Sequence, residues 1–329
     1  MDLILLISYT EAFKIQNMNA RESNFISAVI YVHNAESQIG AFLQMIMNML
    51  ETNFEYSEII CVNDHSDDGS VSIIREMAER AASTSLSIVN LSYYHGMELA
   101  MNAGVDLSIG DFVMEFDHPV PDFDSAVVMK IYHHALDGYD IVSASSSEKE
   151  HITSRIFYWL YDRFSDVPGR MRTESFRILS RRAINRIQSM NKTVPYRKAV
   201  YSQCGLRTDN LQYEALAVAA AKSHSRDSKF RMNLAVDSLI LFTKVGYDFS
   251  KFMTVFMMLL SVFMICYTIV IYLTSQPVAG WTTTILFLSV AFFGLFGILT
   301  IVVKYLQLLV DLVFRRQHYS FESVEKLTS

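Results

Sequence analysis

FISAVIYVHNAESQIGAFLQMIMNMLETNFEYSEIICVNDHSDDGS, residues 25–70, decides the fold class. A mostly apolar, β-branched run over 25–32 meets a polar break at His33 and Asn34. Apolar positions at helical spacing follow over 36–52, and a second apolar run over 57–63. Strand-length runs alternating with helix-length stretches are the pattern of βαβ units. Runs that are apolar on both faces fit a parallel sheet covered by helices on each side. Working outward, SLSIVNLS (85–92) and DFVMEFD (111–117) read as further strands, with helices over 69–83 and 95–108. A helix is expected over 125–137 and a strand near 139–145. Polar residues collect where each strand ends: His33 and Asn34, Asp64 to Asp68, Tyr93 to His95, Asp117 and His118. In an open α/β sheet that carboxyl edge is where ligands bind.

A chain of 329 residues is long for one domain, and about 150 residues per domain predicts roughly two units. Hydrophobic residues are 51% of it and mean hydropathy is +0.22, which points to a part solvated by lipid. A formal net charge of −6 argues against nucleic acid as a partner, since phosphates call for surplus Lys and Arg. Cys61, Cys204 and Cys266 lie far apart without CxxC spacing, so neither a disulfide framework nor a zinc site is indicated. The short run LILLI (3–7) follows Asp2, has no basic flank, and does not read as a signal peptide. Residues 1–22 are expected to be a peripheral extension.

The last quarter differs in kind. Residues 226–251 include an amphipathic stretch, with Leu234, Leu239, Ile240, Leu241 and Phe242 among basic residues, suited to the headgroup layer. Residues 252–273 and 282–303 carry no charge, and at ~1.5 Å per residue each spans the ~30 Å hydrocarbon core. Lys244 and Lys251 precede the first run, and Lys304, Arg315 and Arg316 follow the second. The positive-inside rule then places both outer ends in the cytoplasm, with 304–329 as a cytoplasmic tail.

The segment VNDHSDDGS (62–70) puts carboxylates and hydroxyls directly after a strand. Such a loop can hold a base, a ribose hydroxyl or a divalent metal, or it can be an Asx-rich turn capping the next helix. A cationic stretch from Arg155 to Arg207 reads either as a solvated basic surface or as a site for anionic headgroups or phosphates. The histidines lack metal-ligand spacing, His118 beside Asp117 being the one in a suggestive place.

Taken in order, VIYVHNAE (29–36), VNDHSDDGS (62–70), SYYHGMELAMNAG (92–104), IGD (109–111), FRILSRR (176–182) and SKF (228–230) resemble the motifs of family 2 glycosyltransferases of the polyprenyl-phosphate type. The tail YLQLLVDLVFRRQHYSFESV resembles their juxtamembrane ending. The resemblance implies a GT-A nucleotide-diphospho-sugar transferase domain, Rossmann-like, over 23–225, followed by the amphipathic segment and a two-helix transmembrane hairpin. It implies inverting transfer of a hexose from UDP- or GDP-hexose to polyprenyl phosphate, in the inner or plasma membrane of a bacterium, with a homo-oligomer possible. Val32, Asn34, Glu36, Asp64, Ser66 and Asp117 would line the donor pocket, with Asp64 accepting from the base. Arg155, Arg177, Arg182 and Lys229 would draw in the acceptor phosphate. Mg²⁺ or Mn²⁺ would neutralise the departing diphosphate.

Three departures stand out. The second Asp of the D-x-D motif is Pro119, which leaves Asp117 with Asp122, Asp124, His118 or Glu115 as metal ligands. The candidate base position is Ser175, with Glu174 adjacent and Arg177 close by, and Tyr93 stands where the family carries Arg or Lys. A phosphate acceptor is already anionic at neutral pH and tolerates the loss of a base. The departures also fit a catalytically impaired, sugar-nucleotide-binding scaffold, and a different lipid acceptor remains within the same chemistry.

Overall fold

The computed structural model describes residues 21–147, 174–189, 197–216 and 319–328, together with separate helical positions between 252 and 309. Its elements in chain order are β1 (Ile26–Val32), α1 (Glu36–Asn53), β2 (Ser57–Asn63), α2 (Ser70–Ala78), β3 (Ser85–Leu91), α3 (Met97–Leu107) and β4 (Phe112–Phe116). There follow α4 (Ser125–Leu136), β5 (Ile141–Ser146), β6 (Phe176–Ser180), α5 (Arg181–Ser189), α6 (Arg197–Gln203), β7 (Thr208–Tyr213) and β8 (Phe321–Lys326).

The strands form one sheet in the order β7-β5-β6-β4-β1-β2-β3-β8. β1 pairs in parallel with β2 and with β4, and β2 with β3. The strand order therefore reverses between β1 and β4, and the crevice beyond their carboxyl ends is the expected ligand position in such a sheet. β6 runs antiparallel to both β4 and β5, and β8 antiparallel to β3, so the sheet is mixed rather than wholly parallel.

Alternation along β1 explains why both sheet faces are covered. Ala28, Ile30 and Val32 join one core with Ile39, Phe42 and Leu43 of α1, while Val29 and Tyr31 join a second with Ala100, Met101 and Ala103 of α3. α3 lies close, because Gly104 has no Cβ to meet Val29 and Val62. α2 ends at Ala78, short of the expected 83. The Glu51 carboxylate accepts the N–H groups of Ala82 and Ser83 at 2.8 and 3.1 Å, which turns that backbone away from a helical ladder.

Compactness divides the chain into two units. One holds 1–154, 172–222 and 317–329, and therefore the whole sheet. The tail expected over 304–329 thus contains a sheet strand, β8. The other unit holds 155–171 and 223–316. Its described helical positions include Phe252, Leu259 and Phe263, at 65%, 65% and 63% exposure, so large apolar side chains face outward there. Among the described residues no helix is long and apolar enough to cross a membrane. Most of 252–273 and 282–303 lies outside the described residues, as do 1–20, Arg155, Lys229 and the amphipathic stretch over 226–251.

Candidate active site

Two loops at the carboxyl edge are stitched into one rim. Asn34 and His65 take left-handed backbone conformations, φ 50° and 55°, which Asn adopts more readily than most side chains. The Asn34 N–H donates to Ser66 Oγ at 3.1 Å, and Asp67 N–H donates to Asn34 Oδ1 at 2.8 Å. Glu36 N–H donates to Asp68 Oδ2 at 2.9 Å, and Gly69 N–H returns to Glu36 Oε2 at 3.1 Å. Burial would raise the Asp68 carboxyl, but the Ser70 hydroxyl and the N–H groups of Glu36 and Ser70 hold it below its usual value. An open cleft of about 480 Å³ is lined by Asn34, Glu36, Ser37, Asp68 and Ile73. Asn34, Glu36 and Ser66 thus come together at one rim, while Val32 is fully buried and offers that rim its carbonyl, which accepts from Asp64 N–H.

Asp64 has a different place from the one expected. It is fully buried, and its oxygens accept from His95 N–H at 2.7 Å, Gly96 N–H at 2.8 Å and the Tyr31 hydroxyl at 3.1 Å. A carboxylate so occupied clasps the loop ahead of α3 rather than reaching for a nucleobase. Gly96 permits the clasp, since its φ of 87° would strain any residue with a Cβ.

Asp117 follows β4 on the other side of the crevice. The antiparallel register sets Arg177 opposite Glu115. The guanidinium then reaches Glu115 at 2.8 Å, Asp117 at 2.9 Å and Glu174 at 3.0 Å. Arg197, at the start of α6, reaches Asp117 at 2.6 Å, Glu98 at 2.9 Å and Glu115 at 2.9 Å, the last without hydrogen-bonding geometry. Tyr201 donates its hydroxyl to Glu115 at 2.8 Å. Both arginines are essentially buried, a costly state that only paired and hydrogen-bonded charges sustain. The planar fork of Arg holds its donors on two or three carboxylates in a fixed geometry, which the single compact ammonium of a lysine would not set in advance. Burial would raise the Asp117 carboxyl, yet Arg177 and Arg197 outweigh it and hold the group well below the carboxylate range. For both guanidiniums burial acts downward and the carboxylates win, so they stay charged. Burial and Glu115 together push the Tyr201 phenol up, which keeps it a donor.

Arg182 does not join this cluster. Phe176 pairs with Phe116 and Ser180 with Phe112, so β6 carries the chain from the carboxyl edge to the opposite one. Arg182 lies beyond Ser180 and pairs there with Asp140, away from any acceptor phosphate at the crevice. Arg177 stays at the right edge, but its three carboxylates use its donors. Ser175 donates its N–H to the Ala144 carbonyl, and Glu174 is held by Arg177.

The described residues around Asp117 do not fit a divalent cation. Asp117 gives both oxygens to arginines, Pro119 has no donor oxygen on its side chain, and Asp124 caps α4 through Ala126 N–H. Among the described residues, Asp122 included, no three His, Cys, Asp or Glu gather where a metal could be held. Sequence reasoning passed over Glu98 and Tyr201. The available signal was Glu115, a charge inside an apolar strand, which calls for buried cations and donors around it.

Comparison with known proteins sets this geometry in a family. Residues 27–188 match the model for Glycosyl transferase family 2. An uncharacterized glycosyltransferase of Synechocystis is 26% identical over 188 residues, 55% of this chain and 58% of that protein, so the aligned part spans less than two thirds of that relative. The bactoprenol glucosyl transferase of Shigella phage SfX is 28% identical over 281 residues, 82% of this chain and 88% of that protein. Among solved structures, mannosyl-3-phosphoglycerate synthase from Rubrobacter xylanophilus matches 66% of this chain and 73% of its own, with 16% identity and a TM-score of 0.49. Within this α/β sheet, residues 27–188 thus make up a glycosyl transferase family 2 domain, and the chain is similar over most of its length to glycosyltransferases.

Proposed function

We propose that the chain moves a hexose from UDP- or GDP-hexose to polyprenyl phosphate at the cytoplasmic leaflet, inverting the anomeric centre in one in-line displacement. The observation that carries this reading is the 281-residue alignment with a bactoprenol glucosyl transferase, which extends well beyond the matched family domain over 27–188. The chemistry supports it. A phosphate oxygen attacks as an anion, so the reaction does not call on Ser175 or the engaged Glu174 as a base. The donor would sit in the crevice between the rim at 33–36 and 64–70 and the charge cluster around Asp117. Cations ahead of the attacking phosphate would come from Arg155, at the head of the cationic stretch that runs to Arg207, and from Lys229.

Membrane attachment in this proposal is a hairpin of 252–273 and 282–303. Their lack of charge supports it, as do the outward-facing Phe252, Leu259 and Phe263. A second reading, a donor-binding scaffold, is favoured by the arginine-bound Asp117 beside Pro119. The deciding experiment supplies radiolabelled UDP- and GDP-hexoses with polyprenyl phosphate, with Mn²⁺ or with a chelator. Label is expected in the lipid phase for one donor. Binding of UDP or GDP with no transfer from any hexose donor would leave the scaffold reading in its place.

A further inference from the structure

β8 adds to the free edge of β3, with Val89 opposite Val324 and Leu91 opposite Phe321. Side chains reinforce the ladder: Asn90 Nδ2 donates to Ser323 Oγ at 2.9 Å, and Arg75 pairs with Glu325 at 3.0 Å. Leu86 N–H donates to Thr328 Oγ1 at 2.6 Å. Covering a sheet edge would be reason enough for these bonds. The contacts nevertheless continue past the strand. Ser92 N–H donates to the Ser320 carbonyl at 3.0 Å, and Ser320 N–H donates to His95 Nε2 at 3.1 Å. On its other side the His95 ring meets the Tyr93 carbonyl through Nδ1, and it stacks on the Tyr93 ring at 4.0 Å. A neutral ring protonated at Nδ1 satisfies both contacts. The backbone N–H of His95 and of Gly96 are the groups that Asp64 clasps.

We infer that the C-terminal strand is a positioning element of the donor site: through Ser320 and His95 it holds loop 92–96 in the shape that Asp64 receives. His95 is thereby a positioning residue, acting through the loop rather than on substrate. The inference rests on the reading that the carboxyl-edge loops bind the sugar nucleotide. An edge cover alone would need the β3–β8 ladder, and would have no use for the bond from Ser320 to a histidine beyond the strand's end.

The test compares the full chain, the full chain with Ser320→Pro, and a chain ending at Gln317. Ser320→Pro removes the donor N–H and leaves the strand. Amide hydrogen exchange at His95 and Gly96 is expected to quicken in both altered chains. UDP or GDP binding, by calorimetry, is expected to weaken by roughly tenfold or more. A synthetic peptide of residues 318–329 is expected to restore binding to the shortened chain. In transfer assays Ser320→Pro should raise the donor KM with kcat little changed. Unchanged exchange at both amides in Ser320→Pro would overturn the inference, whatever happens to the shortened chain. A full chain that binds neither UDP nor GDP would instead sink the donor-site reading, while the exchange comparison still decides whether the tail holds the loop.

Discussion

Asp117 lies buried between two guanidiniums, a setting that its place in the sequence did not announce. The motif register identified Asp117 as the first carboxylate after β4, and it is. Its partners could not be read, because Arg177 and Arg197 arrive from 60 and 80 residues along the chain. Arg177 and Arg182 looked alike within FRILSRR, and only the antiparallel run of β6 sends them to opposite edges of the sheet. Asp64 was recognised as important for the same motif reason, yet its role is set by two backbone amides near Gly96. Asp117→Asn leaves two buried arginines short of charge, and a loss of about 3–5 kcal/mol is expected in denaturant melts at pH 7. Because the folded-state carboxyl is depressed, its contribution is fully present above the ordinary Asp value of about 3.9 and fades only as pH falls below it. The stability gap between the native chain and Asp117→Asn should therefore stay constant from pH 7 to about pH 5 and narrow in stronger acid.

At the level of elements, the strands from β1 to β5 and the helices between them were legible because their apolar runs are long and their breaks polar. The later strands were not. β6 was visible only as a motif, while β7 and β8, TDNLQY and FESVEK, carry too few apolar positions to be told from surface loops. Their pairing partners make them strands, and pairing is invisible in a single run of residues. The packing of α3 makes a sharper claim. A Cβ built on Gly104 would lie 2.4 Å from a Val29 methyl and 2.6 Å from a Val62 methyl. Neither strand can retreat from the middle of a sheet, so Gly104→Ala is expected to cost about 1–3 kcal/mol. The denaturant midpoint should fall with an unchanged m-value, since the surface exposed on unfolding is the same.

For the whole molecule, the segment over 223–316 leaves from and returns to the unit that contains the sheet. If that segment enters a bilayer, it must cross an even number of times, a constraint independent of the charge bias that first suggested a hairpin. Tags placed before Arg21 and after Ser329 should then be cut by a protease from the same face of sealed vesicles; protection of one alone would contradict a paired crossing. The same closure governs when the enzyme can be finished. Asn90 and its partner Ser323 are 233 residues apart, so the outermost strand is made long after the strand it covers. Until then β3 stays an open edge, the long-range pairing that slows folding and invites association. A nascent chain thus completes its sheet only after its hydrophobic segment has been made, so that segment meets the cell before the sheet beside the candidate site is closed.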